Sequence, residues 1–330
     1  MKKVSINGFG RIGRAALKVI METPELEVIA VNDLMSIENA AYLLKYDSVY
    51  GIYDKEVSVQ DGHLLVGDKK ILFLTERDPA NLPWKDLQID VAIESTGLFT
   101  KREDAEKHIF AGAKTVVISA PTKSKDTPTV LHGVNSADGK TAAVFSCASC
   151  TTNSIGPIIE IMDRRIGIKK AILNTIHAYT ASQSLVDAPT KKDFRMGRSA
   201  ALSLVPASTG AAIATTKVLP QLDAKFDGVA IRTPVPVGSI SDITFVAAKN
   251  TSVEEINNIL TEESQTDRYK KVLSVSSLDL VSSDIVQSTF ASIADLQMTR
   301  VVDGDLVKIM AWYDNEWGFT NQMIREIVAL

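Results

Sequence analysis

Val4-Ser5-Ile6-Asn7-Gly8-Phe9-Gly10-Arg11-Ile12-Gly13-Arg14-Ala15-Ala16-Leu17 is the stretch whose reading decides the fold. Residues 4–6 form a short apolar run of strand character, and residues 14–21 carry apolar side chains at helical spacing. Between them lies Gly8-x-Gly10-x-x-Gly13. That pattern alone is weak, because glycine is common. Directly after a strand and directly before a helix it is the signature of a dinucleotide-binding turn. Gly8 permits the tight turn, Gly10 lets the backbone approach a pyrophosphate, and Gly13 lets the helix pack close to the strand. The helix N-terminus then offers unpaired N–H groups and a positive dipole end to the phosphates. The next strand, residues 27–31, leads into Asn32-Asp33, and Asp33 stands 20 residues beyond Gly13. A carboxylate there accepts hydrogen bonds from an adenosine ribose and repels a 2′-phosphate, so NAD is expected rather than NADP. The bland alternative is a glycine turn beside a helix-capping Asp.

Outward from this stretch, residues 89–94 and 115–119 are further short β-branched runs, each followed by turn or helix signals. Strands alternating with helices predict a doubly wound parallel sheet of the α/β class. The second half reads differently. Residues 171–178, 228–234, 240–249 and 305–313 look like longer strands, interrupted by helices at 211–219 and 252–264. That mix predicts an α+β domain with a large mixed or antiparallel sheet and helices on one face. Residues 321–330 have the pattern of an amphipathic helix. A chain of 330 residues corresponds to roughly two domains. The expected division is 1–149 and 150–316, with the C-terminal helix, about 317–330, packing back onto the first domain.

Composition narrows the function. Lys plus Arg is 36 and Asp plus Glu is 40, a net charge of −4, which lacks the basic excess of a nucleic-acid binder. Hydrophobic residues at 45% and charged residues at 23% exclude a disordered chain. No run approaches the length of a membrane span, and no signal peptide is read at the N-terminus. Two cysteines, Cys147 and Cys150, do not make an oxidised scaffold and suggest a reducing compartment, the cytoplasm. No metal site is expected.

Ser146-Cys147-Ala148-Ser149-Cys150-Thr151-Thr152-Asn153 follows the apolar residues 141–145 and precedes helical character at 155–162. A cysteine at a helix N-terminus feels the dipole, which is expected to lower its pKa. Ser149, Thr151 and Thr152 add hydroxyl and backbone donors able to bind an anion. Pro157 should kink the helix. The bland reading of a lone cysteine is a small buried hydrophobe, which leaves the polar crowd around Cys150 unexplained. A base must come from elsewhere in the chain, among His63, His108, His132 and His177. His63 follows Asp61-Gly62 and reads as a hairpin tip. His108 reads as part of a charged helix face, and His132 is ambiguous. His177 ends a strand and is the natural candidate, against the alternative of a structural histidine.

Taken together, Asn7 to Arg14, Asn32-Asp33, Lys45-Tyr46-Asp47-Ser48, Glu94-Ser95-Thr96-Gly97, Ala148-Ser149-Cys150-Thr151-Thr152-Asn153, Ser208-Thr209-Gly210-Ala211-Ala212 and Trp312-Tyr313-Asp314-Asn315-Glu316 come in the order seen in glyceraldehyde-3-phosphate dehydrogenases. The chain resembles that family over essentially its whole length. The resemblance implies that Cys150 is the nucleophile and His177 its acid and base. It implies NAD contacts at Gly8, Gly10, Arg11, Ile12, Gly13, Asp33, Arg77 and Ser119, with Asn315 holding the nicotinamide carboxamide. One phosphate site is implied at Ser149, Thr151, Thr209 and Gly210, and another at Thr180 and Arg232. Glyceraldehyde 3-phosphate and inorganic phosphate are the implied substrates. A thiohemiacetal and a thioester on Cys150 are the implied intermediates, and glycolysis or gluconeogenesis the setting. A homotetramer is implied, with a loop over about residues 180–204 at a subunit interface. Without the resemblance, Thr209 is a helix cap and Arg232 a sheet-edge charge.

The chain departs from the family in places. Cys147 stands where Asn is usual and creates Cys147-x-x-Cys150, which in isolation reads as a thiol–disulfide oxidoreductase motif and raises a regulatory disulfide. Phe319 stands where Tyr is frequent, Ile213 where Lys is, and Val237 near a usual Asn. Ala188-Pro189 mixes features of NAD-specific and NADP-accepting members. Other readings are an erythrose-4-phosphate dehydrogenase, which shares the thiol, the His and the cofactor, and a non-catalytic NAD-binding protein.

Overall fold

A computed structural model describes residues 1–136, 143–190 and 193–330. Residues 141–142 of the expected apolar segment and 191–192 of the expected interface loop lie outside the described residues. The chain forms two compact units.

The first unit comprises Met1–Val130, Ser136–Ala148 and Met323–Leu330. It contains β1 (Lys2–Asn7), α1 (Arg11–Met21), β2 (Leu26–Asn32), α2 (Ile37–Lys45) and a short β3 (Tyr46–Asp47) and β4 (Gly51–Ile52) pair. These are followed by β5 (Val57–Gln60), β6 (His63–Val66), β7 (Lys69–Leu74), β8 (Val91–Glu94), α3 (Arg102–Ala105), α4 (Lys107–Phe110), β9 (Thr115–Ile118) and β10 (Val144–Ser146). Among the described residues the sheet runs β10-β9-β8-β1-β2-β7-β6-β5. The strands from β10 to β7 pair in parallel, and β7, β6 and β5 pair antiparallel. The expected doubly wound parallel sheet is therefore present, with an antiparallel edge. Connections leave β1 toward β2 on one side and return to β8 on the other. The crevice at the carboxyl ends of β1 and β8 is thus the switch point where such sheets bind ligands.

Local sequence accounts for the pieces. Val4 and Ile6 are fully buried beside Ser5, the continuous burial of a central parallel strand. Helix α1 begins at Arg11, three residues before the apolar periodicity does. Its first residues, Arg11 and Ile12, are only half-buried, so periodicity marks it late. His63 follows a turn whose Asp61 and Gly62 both have positive φ, 48° and 73°, the twist that a two-residue hairpin requires.

The second unit comprises Leu131–Asn135 and Ser149–Gln322. It contains α5 (Cys150–Arg165), β11 (Ile168–Ala178), β12 (Val205–Ser208), α6 (Ala211–Val218), β13 (Phe226–Thr233), β14 (Ser239–Ala247), α7 (Val253–Ser264), β15 (Leu273–Ser276), β16 (Ser292–Val302) and β17 (Leu306–Tyr313). The sheet order is β12-β13-β11-β14-β17-β16-β15. It is mixed: β11 with β13 and β15 with β16 run parallel, and the other neighbours antiparallel. Ile155, Ile159 and Met162 of α5 share a core with Leu173, Phe245 and Ile309 of the sheet. Other sheet side chains, including Ile172 and Val229, are exposed. Pro157 lies within α5, which continues through it to Arg165.

The last helix, α8 (Trp317–Ala329), begins earlier than its periodicity suggests because Asp314 Oδ1 accepts from the N–H groups of Glu316 and Trp317. Its residues from Met323 onward belong to the first unit. There Lys2 Nζ donates to the carbonyls of Ile327 and Val328 at 3.0 and 2.9 Å.

Candidate active site

In the first unit, a cleft of about 670 Å³ opens at the ends of β1, β2 and β8, lined by Gly8, Gly10, Asp33, Arg77 and Thr96 among others. The three glycines are not equivalent. A Cβ on Gly8, at φ +93°, would stand 2.5 Å from Thr96 N, and one on Gly13 would stand 2.0 Å from Gly8 O. A Cβ on Gly10 would meet nothing within 4 Å. Two glycines therefore permit close packing, and the third leaves open space on the cleft wall. Asp33 receives the Phe9 N–H on Oδ2 at 2.6 Å and the Met35 N–H on Oδ1 at 3.0 Å. Its carboxylate thus braces the glycine turn from the end of the second strand. An open helix start above a tight turn, with a carboxylate beside it, fits a dinucleotide. Arg11, Ile12 and Ser119 do not line this cleft. Arg11 is paired with Asp47 at 2.6 Å, Ile12 sits half-buried in α1, and the Ser119 N–H donates to the Glu94 carbonyl at 2.9 Å.

In the second unit, Ser149 caps α5: its Oγ accepts from Thr152 N at 3.1 Å, and Cys150 is the first helical residue. Cys150 Sγ lies 3.3 Å from His177 Nε2. His177 sits at the end of β11, and its Nδ1 lies 2.7 Å from the Ala178 carbonyl. Nδ1 stands between this carbonyl, which can only accept, and Arg232 Nη1, which can only donate; in the tautomer that bonds Ala178, the Nε2 lone pair faces the thiol. Sheet register supplies the third member, because His177 pairs directly with Arg232 across β11 and β13. Arg232 Nη1 stands 2.6 Å from His177 Nδ1 and donates to the Ala178 carbonyl at 3.2 Å. Its buried Nε has no partner among the described residues. Arg232 is flanked by β11 and β12, so it is not the sheet-edge charge of the bland reading.

The electrostatics correct the expectation of a lowered thiol pKa. Burial pushes Cys150 up, and Arg232 with the N–H groups of Thr151 and Cys150 pulls it only partly back. Burial, then the Arg232 charge, pushes His177 down to about 4, opposed by its bond to Ala178. Both shifts favour the uncharged forms, a thiol beside an imidazole, with Nε2 within reach of the thiol proton.

Three side chains without an assigned role in the sequence hold this pair. Tyr313 OH lies 3.0 Å from Thr151 Oγ1 and 2.8 Å from Thr175 Oγ1, and its ring meets His177 edge-on at 5.9 Å. Ser239 Oγ accepts from Ala178 N at 3.0 Å and donates to Asn315 Oδ1 at 3.0 Å. The sequence signal for Tyr313 was its place in the block before Asn315; Thr175 and Ser239 gave none. Thr180, Thr209 and Gly210 make their contacts outside this network. Thr180 bonds Ser182 and Gln183, Thr209 Oγ1 accepts from Ala211 N, and Gly210 is the N-cap of α6.

Comparison with known proteins decides the family. Residues 2–102 match the glyceraldehyde 3-phosphate dehydrogenase NAD-binding domain, and residues 149–315 match the C-terminal domain of the same enzyme. The chain belongs to the glyceraldehyde-3-phosphate dehydrogenase family. Relatives of that name include one from Clostridium pasteurianum, 46% identical over 99% of this chain and 98% of its own. Another, from Geobacillus stearothermophilus, is 45% identical over 98% of this chain and 96% of its own. A third, from Zymomonas mobilis, is 43% identical over 98% and 96%. The protein is thus an oxidoreductase acting on an aldehyde, with NAD as its cofactor. Membership does not favour a thiol–disulfide oxidoreductase, and neither does Cys147. That thiol is buried, and burial with the Glu326 carboxylate pushes its pKa up. No helix among the described residues is long and apolar enough to cross a membrane.

Proposed function

We propose that this protein oxidises glyceraldehyde 3-phosphate to 1,3-bisphosphoglycerate, coupled to NAD reduction and uptake of inorganic phosphate. The observation that carries the reading is Cys150 Sγ facing His177 Nε2 at 3.3 Å beside an arginine whose buried Nε has no partner among the described residues. Cys150 attacks the aldehyde as His177 takes the thiol proton. The oxygen of the resulting thiohemiacetal carries developing charge, which the N–H groups at the start of α5 and the imidazolium stabilise. NAD, when bound, would accept the hydride that leaves the former aldehyde carbon, and the Cys150 adduct so oxidised is a thioester. A thioester is reactive enough for phosphate to attack, which releases an acyl phosphate and regenerates the thiol.

Two anions must then be held at once. Arg232 and Thr180 hold one, and an arginine fork with a free donor suits it. Ser149, Thr151, Thr209 and Gly210 hold the other, at the capped starts of α5 and α6. Gly8, Gly10, Arg11, Ile12, Gly13, Asp33, Arg77 and Ser119 serve the cofactor, and Asn315 its carboxamide. In this reading residues 1–149 bind the cofactor and 150–316 carry the chemistry. A homotetramer is proposed, supported by apolar side chains left exposed between 180 and 204, among them Leu185, Phe194 and Leu202. The cytoplasm suits a catalytic thiol that must stay reduced.

The test is NADH formation with the aldehyde, with and without inorganic phosphate, using NAD and NADP in parallel. Phosphate-dependent turnover with NAD is expected. Turnover indifferent to phosphate would mean that water resolves the thioester and that the second anion site is wrong. No turnover would direct attention to erythrose 4-phosphate.

A further inference from the structure

The catalytic reading leaves one buried polar cluster unused. It lies in the first unit, under the floor of the cofactor cleft. His108 on α4 is fully buried, contrary to the charged-face reading of its segment, and Glu94 at the end of β8 is 1% exposed. Trp84 Nε1 donates to His108 Nδ1 at 2.9 Å. Indole nitrogen can only donate, so Nδ1 carries the lone pair and Nε2 carries the proton. Nε2 then donates to Glu94 Oε2 at 3.1 Å. The same oxygen accepts from Asn7 Nδ2 at 2.6 Å, while Oε1 accepts from Thr96 N at 2.8 Å and from the Thr96 hydroxyl. Asn7 Oδ1 in turn accepts from Asn32 Nδ2 at 2.7 Å. The chain of bonds thus begins at Trp84 and ends on Asn7, Asn32 and Thr96, three residues of the cleft wall at the tips of β1, β2 and β8.

A buried carboxylate is costly to leave under-bonded, and its orientation is set by its donors. Asn7 and Thr96 belong to the cleft itself. The donor that comes from outside it is His108, whose ring is fixed from behind by Trp84. We propose that His108 is a positioning residue for the cofactor: through Glu94 it sets the Asn7 amide and the Thr96–Leu98 turn, where Leu98 N donates to Thr96 Oγ1 at 3.0 Å. It touches no reacting atom. The inference rests on the cleft being the NAD site.

The test compares His108→Phe, His108→Gln and Trp84→Phe in the full-length protein. NAD affinity is measured by calorimetry on the cofactor-free enzyme, alongside kcat and KM for both substrates. Glutamine carries a donor and an acceptor at about the spacing of the two ring nitrogens, so it can fill both roles. His108→Phe is expected to weaken NAD binding about tenfold or more, with kcat at saturating NAD and KM for the aldehyde within about twofold. His108→Gln should restore most of the affinity, and Trp84→Phe should weaken binding a fewfold. Unchanged NAD affinity in His108→Phe would overturn the proposal. So would equal losses in kcat and aldehyde KM, or failure of Gln to rescue. Should His108→Phe not fold, Trp84→Phe and His108→Gln decide: wild-type NAD affinity in Trp84→Phe, or a loss in His108→Gln, overturns it. Absence of NAD binding by the unaltered protein would instead sink the cofactor site itself.

Discussion

Alanine at Gly13 and at Gly10 should separate the folding role of the glycine turn from its binding role. At Gly13 the new Cβ would stand 2.0 Å from Gly8 O and 3.2 Å from Ser95 Oγ. The first obstacle is backbone, which cannot rotate away, so α1 must lift off β1. Overpacking of this kind costs about 1–3 kcal/mol. At roughly 2–4 °C per kcal/mol for a domain of this size, Gly13→Ala should melt about 2–12 °C below the parent. Gly10 responds differently. Its φ of −70° and ψ of −159° are extended backbone open to any residue, and the added Cβ meets nothing within 4 Å. Alanine there gains about 0.4–1 kcal/mol by restricting the unfolded chain. It loses a comparable amount, up to about 1 kcal/mol, because Gly is the better N-cap. The two nearly cancel, and the melting temperature should hold within about 2 °C. The space the methyl fills is nevertheless cleft, where a pyrophosphate needs the bare backbone. NAD affinity should therefore fall about tenfold or more, equivalent to roughly 1.4 kcal/mol or more. Thermal melts without cofactor and calorimetric titration with NAD read the two effects apart. Near-parental NAD affinity in Gly10→Ala, or a melting loss as large as that of Gly13→Ala, would refute the division of labour.

Other substitutions probe the chemistry. Cys150→Ser should abolish NAD reduction and leave NAD affinity intact; retained aldehyde oxidation would rule out covalent catalysis. His177, held at about 4 against an ordinary 6.5, takes up fewer protons folded than unfolded between those values. Its contribution to stability, about 3 kcal/mol, is complete above about pH 6.5 and lost as pH falls toward about 4. Urea melts of His177→Asn over that window should therefore show a shallower acid loss than the parent, and parallel curves would contradict the assignment. Arg232→Gln should raise KM for the phosphorylated aldehyde about tenfold or more. It should also move the His177 titration, followed by NMR, to higher pH, because the guanidinium charge is a cause of its depression. Asp33→Ala should weaken NAD and narrow its preference over NADP; unaltered selectivity would mean that other residues choose the cofactor.

What the sequence made legible follows from where physics is local. The first unit could be read because a buried parallel strand, a glycine turn and an amphipathic helix each sign themselves within a few residues. The longer strands β11, β13, β14 and β17 were visible for the same reason. Strand β16 was not: it is Ser292–Val302, rich in polar residues, and its register with β17 shifts between Asp295 and Arg300. The start of α1 was placed late, and the apolar pattern of α8 begins late within the expected 317–330, because these starts are set by Gly10 and Asp314 rather than by apolar spacing. The His177–Arg232 contact joins residues 55 apart through a parallel register, which no local pattern encodes.

His108 shows how charged neighbours can mislead. Glu103, Asp104, Glu106 and Lys107 suggest a solvated face, yet Ala105, His108 and Ala111, three residues apart, are the buried positions. That spacing was present in the sequence, and what hid it was that the middle residue is titratable. His108 on α4 and His177 at the end of β11 are both buried histidines. Their partners separate them. Both nitrogens of His108 are bonded to groups inside the fold, Trp84 and Glu94, so its ring can transmit orientation but has no free site for proton transfer. His177 spends one nitrogen on Ala178 and turns the other to a nucleophile. The difference between a strut and a base is therefore a property of partners distant in sequence, which is why spacing alone left His177 open against a structural histidine.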